Sequence, residues 1–127
     1  MVGLDFGATY SGFSYCHVSD PSNIHTNDYW PGEIGFLKTN TALQYNSGFT
    51  KVEQWGNPAL YKRPTRRNKN IQNEARPVEL FKLHLGNLQK DLRPKLPVGY
   101  KKAITDYLFE LGKVKESIFC GKKRNLL

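Results

Sequence analysis

The 127 residues, 14.6 kDa, are the length of one ordinary domain and exclude a multidomain machine. An apolar share of 39% and an aromatic share of 13% exclude a wholly disordered chain and leave material for a small core. The formal charge is 19 − 11 = +8, but it is lopsided: residues 1–60 carry 2 − 5 = −3 and residues 61–127 carry 17 − 6 = +11. No run approaches the roughly 18–20 apolar residues of a membrane span, and no basic start followed by an apolar stretch marks a secretory signal. Cys16 and Cys120 form no C-x-x-C pair. Together these features predict reduced thiols in an intracellular, cytoplasmic protein.

In chain order, Val2–Val18 reads as two strands around a tight turn: Val2, Leu4 and Phe6 alternate with Gly3 and Asp5, Gly7–Ser11 supplies the turn, and Phe13, Tyr15 and Val18 follow. Ser19–Gly35, broken by Asp20-Pro21 and Pro31-Gly32, reads as a loop. Phe36–Tyr45 and Phe49–Trp55 read as two more strands about Asn46-Ser47-Gly48, and Ala59-Leu60-Tyr61 as the start of a short helix. Tyr61–Arg76 is polar, basic and aperiodic, hence a mobile loop. Val78, Phe81, Leu85 and Leu88 at helical spacing predict a helix over Val78–Leu88, and Pro94, Pro97 and Gly99 make Leu92–Gly99 a linker. Tyr100–Phe119 carries Ile104, Tyr107, Leu108, Leu111, Val114 and Ile118 at intervals that predict the clearest helix, ending at Gly121-Lys122-Lys123-Arg124.

The segment Gly3–Gly12 (GLDFGATYSG) carries the most chemistry. A carboxylate, Asp5, lies in an apolar strand immediately before Gly7-Ala8-Thr9. Gly7 is free to take φ > 0 and to let backbone approach a ligand. Successive N–H groups of Ala8, Thr9 and Tyr10, with the Thr9 hydroxyl, would then form an anion-binding nest. Asp5 would hold a hydrated Mg²⁺ beside the phosphates, since Mg²⁺ takes one or two carboxylates plus waters and phosphate oxygens. The segment is neither G-x-G-x-x-G nor G-x-x-x-x-G-K-[ST], and a strand follows it where those loops feed a helix. From spacing alone, an ordinary hairpin with a solvated carboxylate stands equally open.

GLDFGATYSG resembles the first phosphate loop of the superfamily of actin, hexokinase and heat shock protein 70, and Tyr10-Ser11 is most similar to the heat shock protein 70 branch. Lys38–Tyr45 (KTNTALQY) resembles that branch's threonine-bearing strand, and Gln54–Pro64 (QWGNPALYKRP) its Gly-x-x-Ala segment. Ala75–Gly86 (ARPVELFKLHLG) and Leu96–Ile118 are similar to a divergent fungal-type subfamily near the heat-shock-protein-70 member 12 group. The resemblance implies an α/β chain: an incomplete actin-like ATPase (ribonuclease H-like) fold, the N-terminal part of lobe I of the nucleotide-binding domain. It covers residues 1–119, with residues 120–127 an unrelated or disordered tail.

Carried across, the resemblance makes Asp5 the Mg²⁺-linked carboxylate and Gly7, Ala8, Thr9 and Tyr10 the loop for the β- and γ-phosphates. Ala8 departs from the family's usual threonine, which puts hydrolysis in doubt more than binding. Lys82 matches the lysine that orients the attacking water; read without the resemblance, it is a solvated helix lysine. The ligands implied are ATP or ADP with Mg²⁺, and the parent protein would be an ATPase and chaperone with protein clients. The second phosphate loop, the adenosine-contacting Gly-Gly motif and the second lobe have no counterpart, so this fragment is expected to bind ATP weakly and not to hydrolyse it.

His17, His25 and His84 have no metal-ligand spacing with each other or with the cysteines. The rival reading is a small basic nucleic-acid binder using Lys62-Arg63-Pro64-Thr65-Arg66-Arg67-Asn68-Lys69, five basic residues in eight. That run has no interleaved aromatic and no surrounding recognition motif, and nucleic acid is the weaker expectation.

Overall fold

Residues 1–61 and 76–124 are described by the computed structural model of the protein. The alternating start forms strand β1 (Val2–Phe6), which pairs antiparallel with β2 (Tyr10–His17) in the register Val2↔Tyr15, Leu4↔Phe13 and Phe6↔Ser11. On its other side β2 meets β3 (Asp20–Thr26) beyond an irregularity between Tyr15 and His17, and, nearer the turn, β6 (Thr39–Asn40). The short strands β4 (Tyr29–Trp30) and β5 (Glu33–Ile34) form their own hairpin. Ser19–Gly35 is therefore not a plain loop. Its first half is an exposed strand held by the ladder to β2, and its end is ordered by Trp30, whose indole N–H donates to the Phe36 carbonyl at 2.8 Å.

A second sheet is built on β7 (Ala42–Tyr45), with β8 (Val52–Trp55) on one side and β9 (Val78–Glu79) on the other. All four β7 residues are buried. The predicted helix over Val78–Leu88 is not formed. β7 takes Val78 and Glu79 as a strand, Leu80 turns the chain in the left-handed region (φ 59°), and Phe81–Leu85 is a 3₁₀ turn. An apolar run of this length satisfies strand and helix alike, and pairing with a buried strand decides it. Asn57–Leu60 is likewise a 3₁₀ turn, opened by Pro58.

Helix α1 (Tyr100–Arg124) continues past Phe119 through the expected break at Gly121. Its inner face joins the two sheets. Ala103 and Tyr107 pack with Leu43, Tyr45, Val78 and Phe81, while Leu111 packs with Phe13 and Trp30. Trp55 and Leu108 touch both clusters. The Tyr107 ring lies against Phe6, Trp55 and Phe81 at centroid distances of 6.0, 5.8 and 5.8 Å. The fold is thus mixed α/β, antiparallel in its sheets, with one long helix among the described residues. No helix among them is long and apolar enough to cross a membrane. The basic run 62–69 and the final residues 125–127 lie outside the described residues.

Candidate functional site

The turn between β1 and β2 is tight. The Gly7 N–H donates to the Tyr10 carbonyl at 3.1 Å, closing the four-residue turn. A Cβ on Gly7 would stand 2.2 Å from that same carbonyl oxygen, so the position excludes every side chain. Neither Gly7 nor its neighbours take a positive φ. The glycine is required by close backbone approach, not by the left-handed conformation that the sequence suggested.

The turn rests on hydroxyl groups whose supporting role the sequence did not show. The Thr41 N–H donates to the Thr9 carbonyl at 2.8 Å, and the Thr41 hydroxyl donates to the Gly7 carbonyl at 2.9 Å. With its one proton committed there, Thr41 accepts from the buried Ser11 hydroxyl, 2.7 Å away. The Tyr107 hydroxyl donates to the Asn40 carbonyl at 3.1 Å, and burial raises its pKa, partly offset by Ser11 and Thr41. Both turn carbonyls are thereby held from beneath. The N–H groups of Ala8 and Thr9 have no hydrogen-bond partner among the described residues, which leaves them as donors for an acceptor from outside. Tyr10 already belongs to β2, pairing with Asn40, and its side chain is exposed.

Around this turn stand three charged groups. Asp5, on β1, is ion-paired with the Lys38 ammonium at 2.6 Å, with both side chains exposed (62% and 51%). The Lys38 hydrogen bond and charge hold the Asp5 carboxyl below its ordinary range, and Lys82 adds to the effect. Lys82 arrives from the 3₁₀ turn Phe81–Leu85, not from a helix. Its ammonium donates to the Phe6 carbonyl and lies 5.3 Å from the centroid of the Phe6 ring. So the structure brings Asp5, the Gly7–Tyr10 turn and Lys82 to one end of β1, and adds Lys38. The Lys38–Tyr45 segment, singled out for its threonines, hinted at Lys38 and Thr41; Tyr107 was legible as part of the helical stripe of Tyr100–Phe119, but not as a group beneath this turn.

No protein-family model, curated protein or solved structure matches the chain.

Proposed function

We propose that the protein is a heat shock protein 70-like fragment, the first part of lobe I of an actin-like ATPase fold, that binds the phosphates of ATP or ADP at the Gly7–Tyr10 turn. The observation that carries this reading is the pair of N–H groups at Ala8 and Thr9 that have no partner among the described residues, on a turn where no side chain fits at Gly7, with Lys82 on the adjoining Phe6 carbonyl and Lys38 on Asp5. Backbone donors converging with fixed positive charge are what an oligophosphate needs. The β1–turn–β2 arrangement and the threonine-bearing β6–β7 segment support the resemblance to that family.

With Ala8 in place of a hydroxyl donor, and Lys82 bonded to the Phe6 carbonyl, the fragment holds phosphate and leaves it intact. In this reading the parent family acts as a chaperone on protein clients. Calorimetry with ATP, ADP and adenosine tests it. ATP and ADP should bind in the millimolar range, about −4 kcal/mol, adenosine should bind too weakly to detect, and phosphate release should equal that of a Lys82→Ala control. Adenosine binding as well as ATP would overturn the phosphate assignment. Phosphate release abolished by Lys82→Ala would overturn the inactive-fragment assignment.

A further inference from the structure

We infer that Lys38 takes the place of the divalent cation at Asp5, so that phosphates bound at the turn are met by two ammonium groups rather than by carboxylate-anchored Mg²⁺. The inference rests on the nucleotide reading above and sharpens it at one residue. Hydrated Mg²⁺ on Asp5, implied by the family resemblance, does not fit the residues present without displacing Lys38.

The geometry that brings Lys38 to Asp5 is specific. Asp5 pairs with Gly12 across the β1–β2 ladder, and Ser11 pairs with Thr39 across β2–β6. Lys38 precedes Thr39, so its backbone passes beside Gly12. A Cβ on Gly12 would stand 3.2 Å from Lys38 Cγ and 2.7 Å from the Leu37 carbonyl oxygen. The missing side chain at Gly12 is the passage by which the Lys38 stem crosses β2 to the carboxylate of β1. A side chain there would close that route.

The charges point the same way. A cation arriving at Asp5 must displace an ammonium at 2.6 Å and then sit within the field of Lys82. No group of three or more His, Cys, Asp or Glu residues is placed to hold a metal among the described residues. Mg²⁺ dehydrates reluctantly and needs good oxygen geometry to be held. A phosphate chain gains from the same arrangement, because Lys38 and Lys82 are both point charges suited to phosphate oxygens.

The test uses Mn²⁺ alone as a paramagnetic stand-in for Mg²⁺, on the full ¹⁵N-labelled chain at low salt. Broadening of the Asp5–Gly7 amides should require about fivefold more Mn²⁺ in the wild type than in Lys38→Met, the scale on which an exposed ion pair competes. Lys38→Arg should behave as wild type, and adding Asp5→Asn to Lys38→Met should abolish the broadening. Equal Mn²⁺ response of wild type and Lys38→Met would overturn the inference. A second arm titrates ATP with a chelator or with Mg²⁺. Wild-type affinity should agree within about twofold between the two conditions, and Lys38→Met should bind severalfold more tightly with Mg²⁺. A wild type that depends strongly on Mg²⁺ counts against Lys38. No ATP binding in any arm, with the Mn²⁺ contrast intact, sinks the nucleotide reading and leaves Lys38 in the cation's place.

Discussion

Strands β1 and β7 are both apolar, yet they end in opposite surroundings. Every residue of β7 is buried, with a strand on each side and α1 across its face. Among the described residues β1 has one neighbouring strand, and Val2 and Leu4 remain 42% and 50% exposed. The ladder shows which groups are left over. Met1 and Cys16 exchange backbone hydrogen bonds, and Gly7 bonds Tyr10, so the odd-numbered residues point their polar groups at β2. Val2, Leu4 and Phe6 direct theirs to the open edge, where the Lys82 ammonium takes the Phe6 carbonyl. Alternation alone therefore does not decide burial; the number of neighbouring strands does. The candidate site stands at the seam, its turn on the open sheet and its supporting hydroxyls on β2 (Ser11), on the link from β6 to β7 (Thr41) and on α1 (Tyr107).

The largest expected contrast is between the two halves of the core. Tyr107→Ala removes a fully buried ring that touches Phe6, Trp55 and Phe81, and should cost about 3–5 kcal/mol, enough to abolish a cooperative urea transition in so small a domain. Leu4→Ala should cost under about 1 kcal/mol and should reduce self-association through the open edge, read by sedimentation. A Leu4→Ala loss as large as that of Tyr107→Ala would erase the distinction.

Alkali should attack the packed half in the same way. Burial, and for Tyr45 also the hydrogen bond it donates to Asp106 at 2.7 Å, raise the pKa values of Tyr45 and Tyr107. A phenol whose pKa is raised in the fold contributes stability that is complete below its unfolded value of about 10 and is lost as pH climbs toward the folded value. Denaturation midpoints should be flat from neutral pH to about 10 and fall above it, and Tyr45→Phe should shallow that fall.

At the seam, glycines separate the turn from the strand. Gly7→Ala meets backbone at 2.2 Å and should cost about 1–3 kcal/mol, whereas Gly3→Ala meets nothing within 4 Å and should cost nothing measurable by thermal melting. Thr41→Val leaves the Gly7 carbonyl and the Ser11 hydroxyl without their partner, and should cost about 1–2 kcal/mol by the same measurement.

The two ends of the described chain were the most legible in the sequence. Val2–Val18 shows strand alternation around a small-residue turn, and Tyr100–Phe119 shows an uninterrupted helical stripe, because in both the local pattern and the final packing agree. Asp20–Thr26 was illegible as a strand because its seven residues are all exposed and only the ladder to β2 holds them. Val78–Leu88 misled because its apolar spacing suits a helix while β7 takes Val78 and Glu79 as its partner strand. Within the site, Asp5 and Gly7 were legible as types of residue that serve phosphate chemistry, and Lys82 only through the family resemblance. The Lys38–Asp5 pair was not, since it depends on β6 lying beside β2 and on the space left by Gly12.

The most direct measurement is an amide-resolved ¹H–¹⁵N titration of the whole chain with ATP. The account predicts that Ala8 and Thr9 move most, with smaller shifts at Gly7 and Tyr10 and none at Leu43, Val78 or Tyr107, and that adenosine reproduces none of it. Shifts confined to the basic run 62–69, or equal shifts with adenosine, would contradict it.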